Sequence, residues 1–410
     1  MATRHGSGGS DGQSIVRVAI ILLLALGLLL LSVTLTMSLV LGRHDDGQTL
    51  RWWPGAEAAA RHSGDLVKLS SPKPDDISNA QRLATMALGK EPANAAAARN
   101  LGLTYSLQGK NAAAARAFAY SERMSRRDLP TQLWLIESRV QAGDIAGALR
   151  HYDRAMRVSL DSRDMLMATM VSAAQDPVVA DVLKTIVAAR PNWWSRFVDV
   201  LVGQSQGADA IARILSALHL DPADPDQGRQ LGIGLRHMVD LGAAPQAYAL
   251  YRQVRVFPEG RMSLLRGGDF EVAGLLTPFE WQLTDGADRQ GIREARDGAE
   301  GQFALSLYGD RAGEVARQLM ILSPGAYRLS GLAGSVSEGA PQPSIAVVCA
   351  KDAAVLTSIA LPRGSRTRFA GTFQVPAGCA AQWLFVSIAG SLDRQAEAPW
   401  IDAIDVRHGR

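Results

Sequence analysis

From Val18 to Leu41 the chain runs VAIILLLALGLLLLSVTLTMSLVL without one charged residue, between Arg17 and Arg43. A helix over this run would reach about 36 Å at 1.5 Å per residue, enough for a hydrocarbon core of about 30 Å. The run exceeds the roughly 7–15 apolar residues of a signal peptide and no small-x-small cleavage site follows it, so the pattern predicts an uncleaved transmembrane helix. Arg4 and Arg17 on one side and Arg43 and Arg51 on the other barely favour either orientation. A short Gly/Ser-rich head over 1–17 and a long body translocated regardless of its charge predict a flexible cytoplasmic head. Residues 42–76 read as a linker, with Trp52 and Trp53 open to an interfacial or a loop role.

A second periodicity follows. Leu101 recurs as Leu135, Gly109 as Gly143, Ala114 as Ala148, Phe118 as Tyr152 and Ser121 as Ala155, each pair 34 positions apart. Ala80, Ala84, Ala87 and Pro92 supply a preceding half-unit in the same frame. Small residues would let two antiparallel helices of a unit approach, large ones would fill the space between units, and the glycines would turn the chain. The period fades between Ser162 and Arg190, returns in degenerate form with Trp194, Phe197, Leu201, Ile214 and Pro222, and ends with Leu231, Leu235 and Tyr251. The pattern resembles the tetratricopeptide repeat family over about 77–160, although Ile136 and Arg139 stand where that family would have Gly and Tyr. An all-α tetratricopeptide-like solenoid over 77–260 is expected, with an unrelated helical bundle as the alternative. The resemblance implies a concave face for a protein partner, and Asn100, Thr104, Gln108, Gln132 and Arg139 are its candidate residues. The competing reading of each is a solvated helix face.

Beyond Pro258 helical periodicity stops and short alternating runs between turn signals predict about eight to ten strands over 262–410. Runs at 301–308, 326–332, 345–349, 367–375, 382–388 and 400–406 are examples, and together they predict an all-β antiparallel sandwich. The strings RGGDFE (266–271), PFEWQL (278–283), SPGAYRLSG (323–331) and WIDAIDV (400–406) resemble the galactose-binding-like jelly rolls of carbohydrate-binding modules of the family 4 and 9 type. That resemblance implies opening and closing strands side by side, with a structural Ca²⁺ held by Asp269, Glu271, Asp402 and Asp405. The same acids could instead cap turns or pair with Arg266 and Arg407. It also implies a sugar platform, for which Trp281, Tyr308, Tyr327 and Trp383 are candidates unless they pack inward.

Composition narrows the remaining choices. The 410 residues carry 43 basic and 40 acidic side chains, a net charge of +3 that gives no field suited to nucleic acid. Cys349 and Cys379 are the two cysteines, both in runs that read as strands. A body outside the cytoplasm would oxidise them to a disulfide. The seven histidines show no metal-ligand spacing, and no phosphate or dinucleotide loop is present. Gly8–Gly12 fits a nucleophile elbow but lacks the flanking strand and helix. No catalytic set emerges and no cofactor is required. The expectation is a single-pass protein of a bacterial inner membrane with a periplasmic body, a scaffold or adaptor that meets an envelope protein through the array and glycan through the sandwich. Resemblance implies work in cell-surface polysaccharide production or export. A carbohydrate-active enzyme with its site in the sandwich groove and a purely structural tether are the alternatives.

Overall fold

The computed structural model describes residues 22–33, 36, 55–255, 264–390 and 397–409. It corrects the expected transmembrane helix. Within the apolar run the described residues are 22–33 and 36, all helical. No helix among the described residues is long and apolar enough to cross a membrane. The single-pass, inner-membrane assignment and the periplasmic placement built on it are withdrawn. Residues 18–21 and 37–41, the head over 1–17, and Trp52 and Trp53 lie outside the described residues.

Chain contacts divide the molecule into two compact units, Met1–Arg163 and Asp164–Arg410. The division falls where the 34-residue period fades, so the expected continuous array is met as two groups of helices, each described by itself.

The first unit contains α1 (Ala56–Val67), α2 (Pro74–Lys90), α3 (Ala95–Leu107), α4 (Asn111–Met124), α5 (Leu129–Gln141) and α6 (Ile145–Val158). Helix α1 occupies part of the expected linker, because Ala58, Ala59 and Ala60 are small enough to bury completely against α2 and α3. The repeat is visible in the capping chemistry. Asn94 accepts from the Ala97 N–H at the start of α3 and Asp128 accepts from the Thr131 N–H at the start of α5, each satisfying an otherwise orphaned donor. Gly109 and Gly143, with φ of 71° and 72°, turn the chain into α4 and α6 where a Cβ would be strained. Gly102 faces Phe118, and a Cβ there would come within 2.8 Å of that ring. Phe118 in turn stacks on Trp134 at 4.3 Å.

The helices of the second unit are α7 (Arg163–Ala173), α8 (Pro177–Ala188), α9 (Trp194–Gln204), α10 (Ala208–Leu218), α11 (Pro225–Asp240) and α12 (Ala244–Val254). Asp176 and Asp224 cap α8 and α11, each followed by proline at the first helical position, where the missing N–H costs nothing. Phe197, Leu201, Ile211, Ile214 and Leu235 are wholly buried between these helices.

The sandwich follows in the same unit. Its strands are β1 (Gln282–Leu283), β2 (Arg289–Ala295), β3 (Phe303–Gly309), β4 (Gly313–Met320), β5 (Gly325–Gly334), β6 (Ser344–Cys349), β7 (Val355–Ala360), β8 (Thr367–Val375), β9 (Gln382–Ile388) and β10 (Trp400–His408). They form two five-stranded sheets, ordered β1-β4-β9-β6-β7 and β2-β3-β10-β5-β8, antiparallel throughout. Alternation sends Leu305, Leu307, Leu329, Val347, Leu384, Val386, Ile401 and Val406 into one shared core and leaves the intervening residues on the outer faces. The opening segment lies beside the closing strand: Leu264 N–H donates to Val406 O and Ile404 N–H to Gly268 O, both at 2.8 Å.

One buried carboxylate joins the last helix to the sandwich. Glu280 pairs with Arg255 at 2.9 Å and accepts the Leu275 and Leu276 N–H groups at 2.7 and 3.0 Å and the Tyr251 hydroxyl at 3.3 Å. Burial pushes the Glu280 carboxyl up, but the two N–H groups and the guanidinium outweigh it and hold the group below its ordinary value. Beside it Phe279 packs on Tyr248 and Tyr251 at 5.2 and 5.3 Å.

Cys349 and Cys379 form the expected disulfide, with a Cα–Cα distance of 5.7 Å inside the usual range. Cys379 lies in the turn before β9 instead of in a strand, so the bond ties the end of β6 to the β8–β9 connection. Buried Gln382 completes this corner by donating to Cys379 O and accepting the Leu322 N–H. With 30 positions between the cysteines, reduction should lower stability by about 3–4 kcal/mol in the chain-entropy model. Denaturant unfolding of the full chain with and without reductant measures this, and coincident curves would show that the bond stabilises nothing.

His151 gives the first unit a pH dependence. Its ring is buried and its Nδ1 lies 2.8 Å from Gln132 Oε1. Burial depresses its pKa below 6.5, Glu122 opposes this, and Arg154, Arg139 and Arg150 add to it. The unfolded chain therefore binds the proton more readily, so this contribution is complete above pH 6.5 and is lost as pH falls towards the lower folded value. Urea unfolding should show stability declining on acidification, with a smaller slope in His151→Gln. Equal slopes would remove His151 as the cause.

Candidate functional site

The residues expected to meet a protein partner are mostly inside the first unit. Asn100, Thr104 and Gln132 are completely buried. Asn100 donates to Ala60 O at 2.6 Å, Thr104 to Leu101 O at 2.8 Å, and Gln132 to Arg126 O at 3.3 Å. Asn100 thereby ties α3 to α1, Gln132 also meets His151 of α6, and Thr104 bonds within its own helix, so none of the three presents its side chain to a partner. Gln108 is half-buried and donates to Gln81 at 2.8 Å. Arg139 alone of the five is exposed, where it pairs with Asp144 at 3.2 Å.

The four aromatics expected to form one sugar platform are dispersed. Trp281 is buried against Phe270 and its Nε1–H donates to Gly267 O at 3.0 Å. Tyr327 is 1% exposed, lies 5.6 Å from Phe373 and 4.9 Å from His408, and donates to Ser323 O. Both are core residues. Tyr308 stands on the outer face of the second sheet, where its hydroxyl donates to Glu294 at 2.7 Å and accepts from Arg296 at 3.1 Å. Burial and that carboxylate push the Tyr308 phenol up, so it stays a donor. Trp383 is half-buried on the outer face of the first sheet, on its central strand β9.

Around Trp383 the structure assembles what the sequence reading missed. Phe385, two residues on, shares that outer face and lies 6.1 Å from Trp383 with its ring inclined by 23°. Arg317 of β4 is opposite Phe385 in register and its guanidinium sits 4.9 Å from the Trp383 ring centroid, a cation–π contact. Arg317 also donates to Gln282 at 3.1 Å and pairs with Glu314 at 3.4 Å. Ser344 and Ser387 form the next register pair on the far side of Phe385. The signal was available: in Trp383-Leu384-Phe385-Val386, period 2 places both rings opposite the buried Leu384 and Val386.

The four acids do not form a calcium site. Asp402 is 1% exposed and accepts the Glu300 N–H on one oxygen at 2.7 Å and the Ala403 N–H on the other at 2.6 Å. Glu271 Oε1 accepts the Gln302 and Phe303 N–H groups at 2.8 and 2.9 Å. Asp405 pairs with Arg407, and Asp269 is exposed on the opening segment. Donor hydrogens aimed at these oxygens are the wrong neighbours for a cation that needs bare oxygen ligands. No three acidic, histidine or cysteine side chains gather into a metal-holding group among the described residues. The Phe270 and Glu271 carbonyls accept from the Arg293 guanidinium, which lies 3.8 Å from the Phe303 ring centroid. A covalently attached cation therefore ties the opening segment to β2. Burial raises the Asp402 pKa, with Glu300 and Glu271 adding to it and the two N–H donors opposing.

Comparison with known proteins bears on the sandwich alone. No family model and no curated protein matches the chain. Among solved structures, a carbohydrate-binding module, TmCBM61, in complex with β-1,4-galactotriose is 16% identical over 36% of this chain and 100% of its own, with a TM-score of 0.27. A structure described as CBM4 structure and function is 14% identical over 35% of this chain and 99% of its own, with a TM-score of 0.28. The enzymatically active domain of a tailspike protein of bacteriophage CBA120 is 12% identical over 36% of this chain, with a TM-score of 0.29, and only 22% of that tailspike chain is covered. These likenesses concern a fold already evident from the strand order and do not bear on what this chain binds.

If Arg293 takes the place of a bound cation, melting of the full chain should be identical in chelator and in millimolar calcium. Arg293→Gln should instead lose about 1.5–3 kcal/mol, the range for charge-assisted hydrogen bonds. A calcium-dependent rise in Tm in the unaltered chain would contradict this account of the opening segment.

Proposed function

We propose that the sandwich is a non-catalytic saccharide-binding module and that the outer face of its first sheet is the platform. The observation that carries this reading is the pair of partly exposed rings, Trp383 and Phe385, side by side on the central strand. A pyranose ring has one face of C–H groups that packs on an aromatic surface, and equatorial hydroxyls that need donors and acceptors at the rim. Arg317, Gln282, Ser344 and Ser387 supply such groups around the two rings. Arrangement on a sheet, where neighbouring residues are fixed by register, favours recognition without large rearrangement.

The helices play a different part in this proposal. Their 34-residue spacing and matched caps support a tetratricopeptide-like reading of α3–α6, with protein contact left to exposed groups such as Arg139. The chain then joins saccharide recognition to protein contact.

Isothermal titration of the full chain with a panel of neutral oligosaccharides tests the reading. Trp383→Ala and Phe385→Ala should each weaken binding about tenfold, near 1.4 kcal/mol, while unfolding of the chain stays two-state. Neutral saccharide binding unchanged in both variants would sink the platform. Release of reducing ends during incubation would overturn the non-catalytic part.

A further inference from the structure

On the outer face of the second sheet lies a cleft of about 480 Å³, bounded by the opening segment, Glu300 and the outward side chains of β10, β5 and β8. Three arginines line it: Arg407 from β10, Arg328 from β5 and Arg368 from β8. Arg328 and Arg407 are direct register partners across the β5–β10 ladder. Like charges placed opposite each other on neighbouring strands destabilise the pair. Asp269, Glu300 and Asp405 line it as well, so three carboxylates stand among three guanidinium groups. Arg368 pairs with Glu300 and Arg407 with Asp405, whereas the Arg328 guanidinium has no ion-pair or hydrogen-bond partner among the described residues.

Asp405 fixes the position of one of the pair. It is the register partner of Ser330, two positions from the arginines, and its Oδ2 faces Arg407. Arg407 is thereby steadied beside Arg328, whose guanidinium is open to an anion from the cleft.

We propose that this cleft binds an acidic saccharide unit, with a uronate carboxylate held by Arg328 and its neighbour Arg407. A guanidinium matches a carboxylate through paired N–H donors, and the two arginines stand side by side across the β5–β10 ladder. The inference rests on the saccharide-binding reading of the sandwich, but it places this unit on the opposite sheet from Trp383. The two sites have separate determinants.

Isothermal titration of the full chain at low and at physiological salt tests it, with an oligoglucuronate, the matched neutral oligoglucoside and inorganic sulfate as probes. The oligoglucuronate should bind at least about tenfold more tightly than the neutral oligomer, and added salt should narrow the gap. Arg328→Gln should remove about tenfold of that affinity and leave Tm equal or higher, since it relieves a like-charge pair. Trp383→Ala should leave the acidic increment intact. Equal affinity for acidic and neutral oligomers would overturn the proposal, as would acidic binding indifferent to Arg328→Gln. Sulfate binding as tightly as the oligoglucuronate would show an anion site without a sugar, and would also overturn it. If the neutral oligomer fails to bind while the Arg328-dependent acidic binding persists, the platform reading fails and this one stands.

Discussion

The second unit depends on keeping one buried charge satisfied. Glu280 is 5% exposed, and a carboxylate taken out of water to that extent costs several kcal/mol unless its oxygens are met. Here they are met from both sides, by Arg255 at the end of α12 and by the N–H groups of Leu275 and Leu276 in the segment that enters the sandwich. Removing any partner leaves the others buried around an unpaired charge. Helices and sandwich are therefore fastened by a contact that tolerates little displacement.

Geometry propagates from that point to both candidate faces. Trp281, next to Glu280, holds Gly267 O, and Gly267 belongs to the opening segment that bounds the arginine-lined cleft. Gln282, the next residue, accepts from Arg317, whose guanidinium lies over the Trp383 ring. The opening segment is held again by Arg293 and by its pairing with β10. A side chain whose neighbours are fixed from three directions loses little further entropy when a ligand arrives, which is what a recognition surface without moving parts requires.

The two outer faces divide their chemistry sharply. On the first sheet Trp383 and Phe385 offer apolar area with a polar rim, suited to the uncharged face of a sugar. On the second sheet Arg328 and Arg407 offer neighbouring guanidinium groups, the second steadied by Asp405. Both arise from the same alternation that builds the core, since each inward Leu or Val of β9, β5 and β10 projects its neighbours outward. Burial of the core fixes which residues face out. It does not fix which of them become neighbours.

Much of the architecture was legible along the chain because it depends on local periodicity. The 34-residue repeat located the helical pairs, and alternation with turn residues located the sandwich. The disulfide was expected from two cysteines read as lying in strands of a body outside the cytoplasm, and it forms although Cys379 lies in a turn and that placement is withdrawn. The apolar run at 18–41 misled, since hydropathy reports what a segment would favour in lipid, and no helix among the described residues is long and apolar enough to cross a membrane. The site residues were harder for a different reason. Asn100, Thr104 and Gln132 look like surface positions in a helix pattern and become buried only when neighbouring helices pack over them, supplying partners to Asn100 and Gln132. Asp402 and Glu271 look like metal ligands until backbone N–H groups and Arg293 are found in the way. The sequence by itself determined that paired helices precede an antiparallel sandwich and which residues of the regular apolar runs turn inward, because these rest on periodicity within one segment. Only the tertiary structure decided that Arg328 meets Arg407, that Arg317 covers Trp383 and that Glu280 joins the last helix to the sandwich, because register and packing bring together residues that no short-range pattern relates.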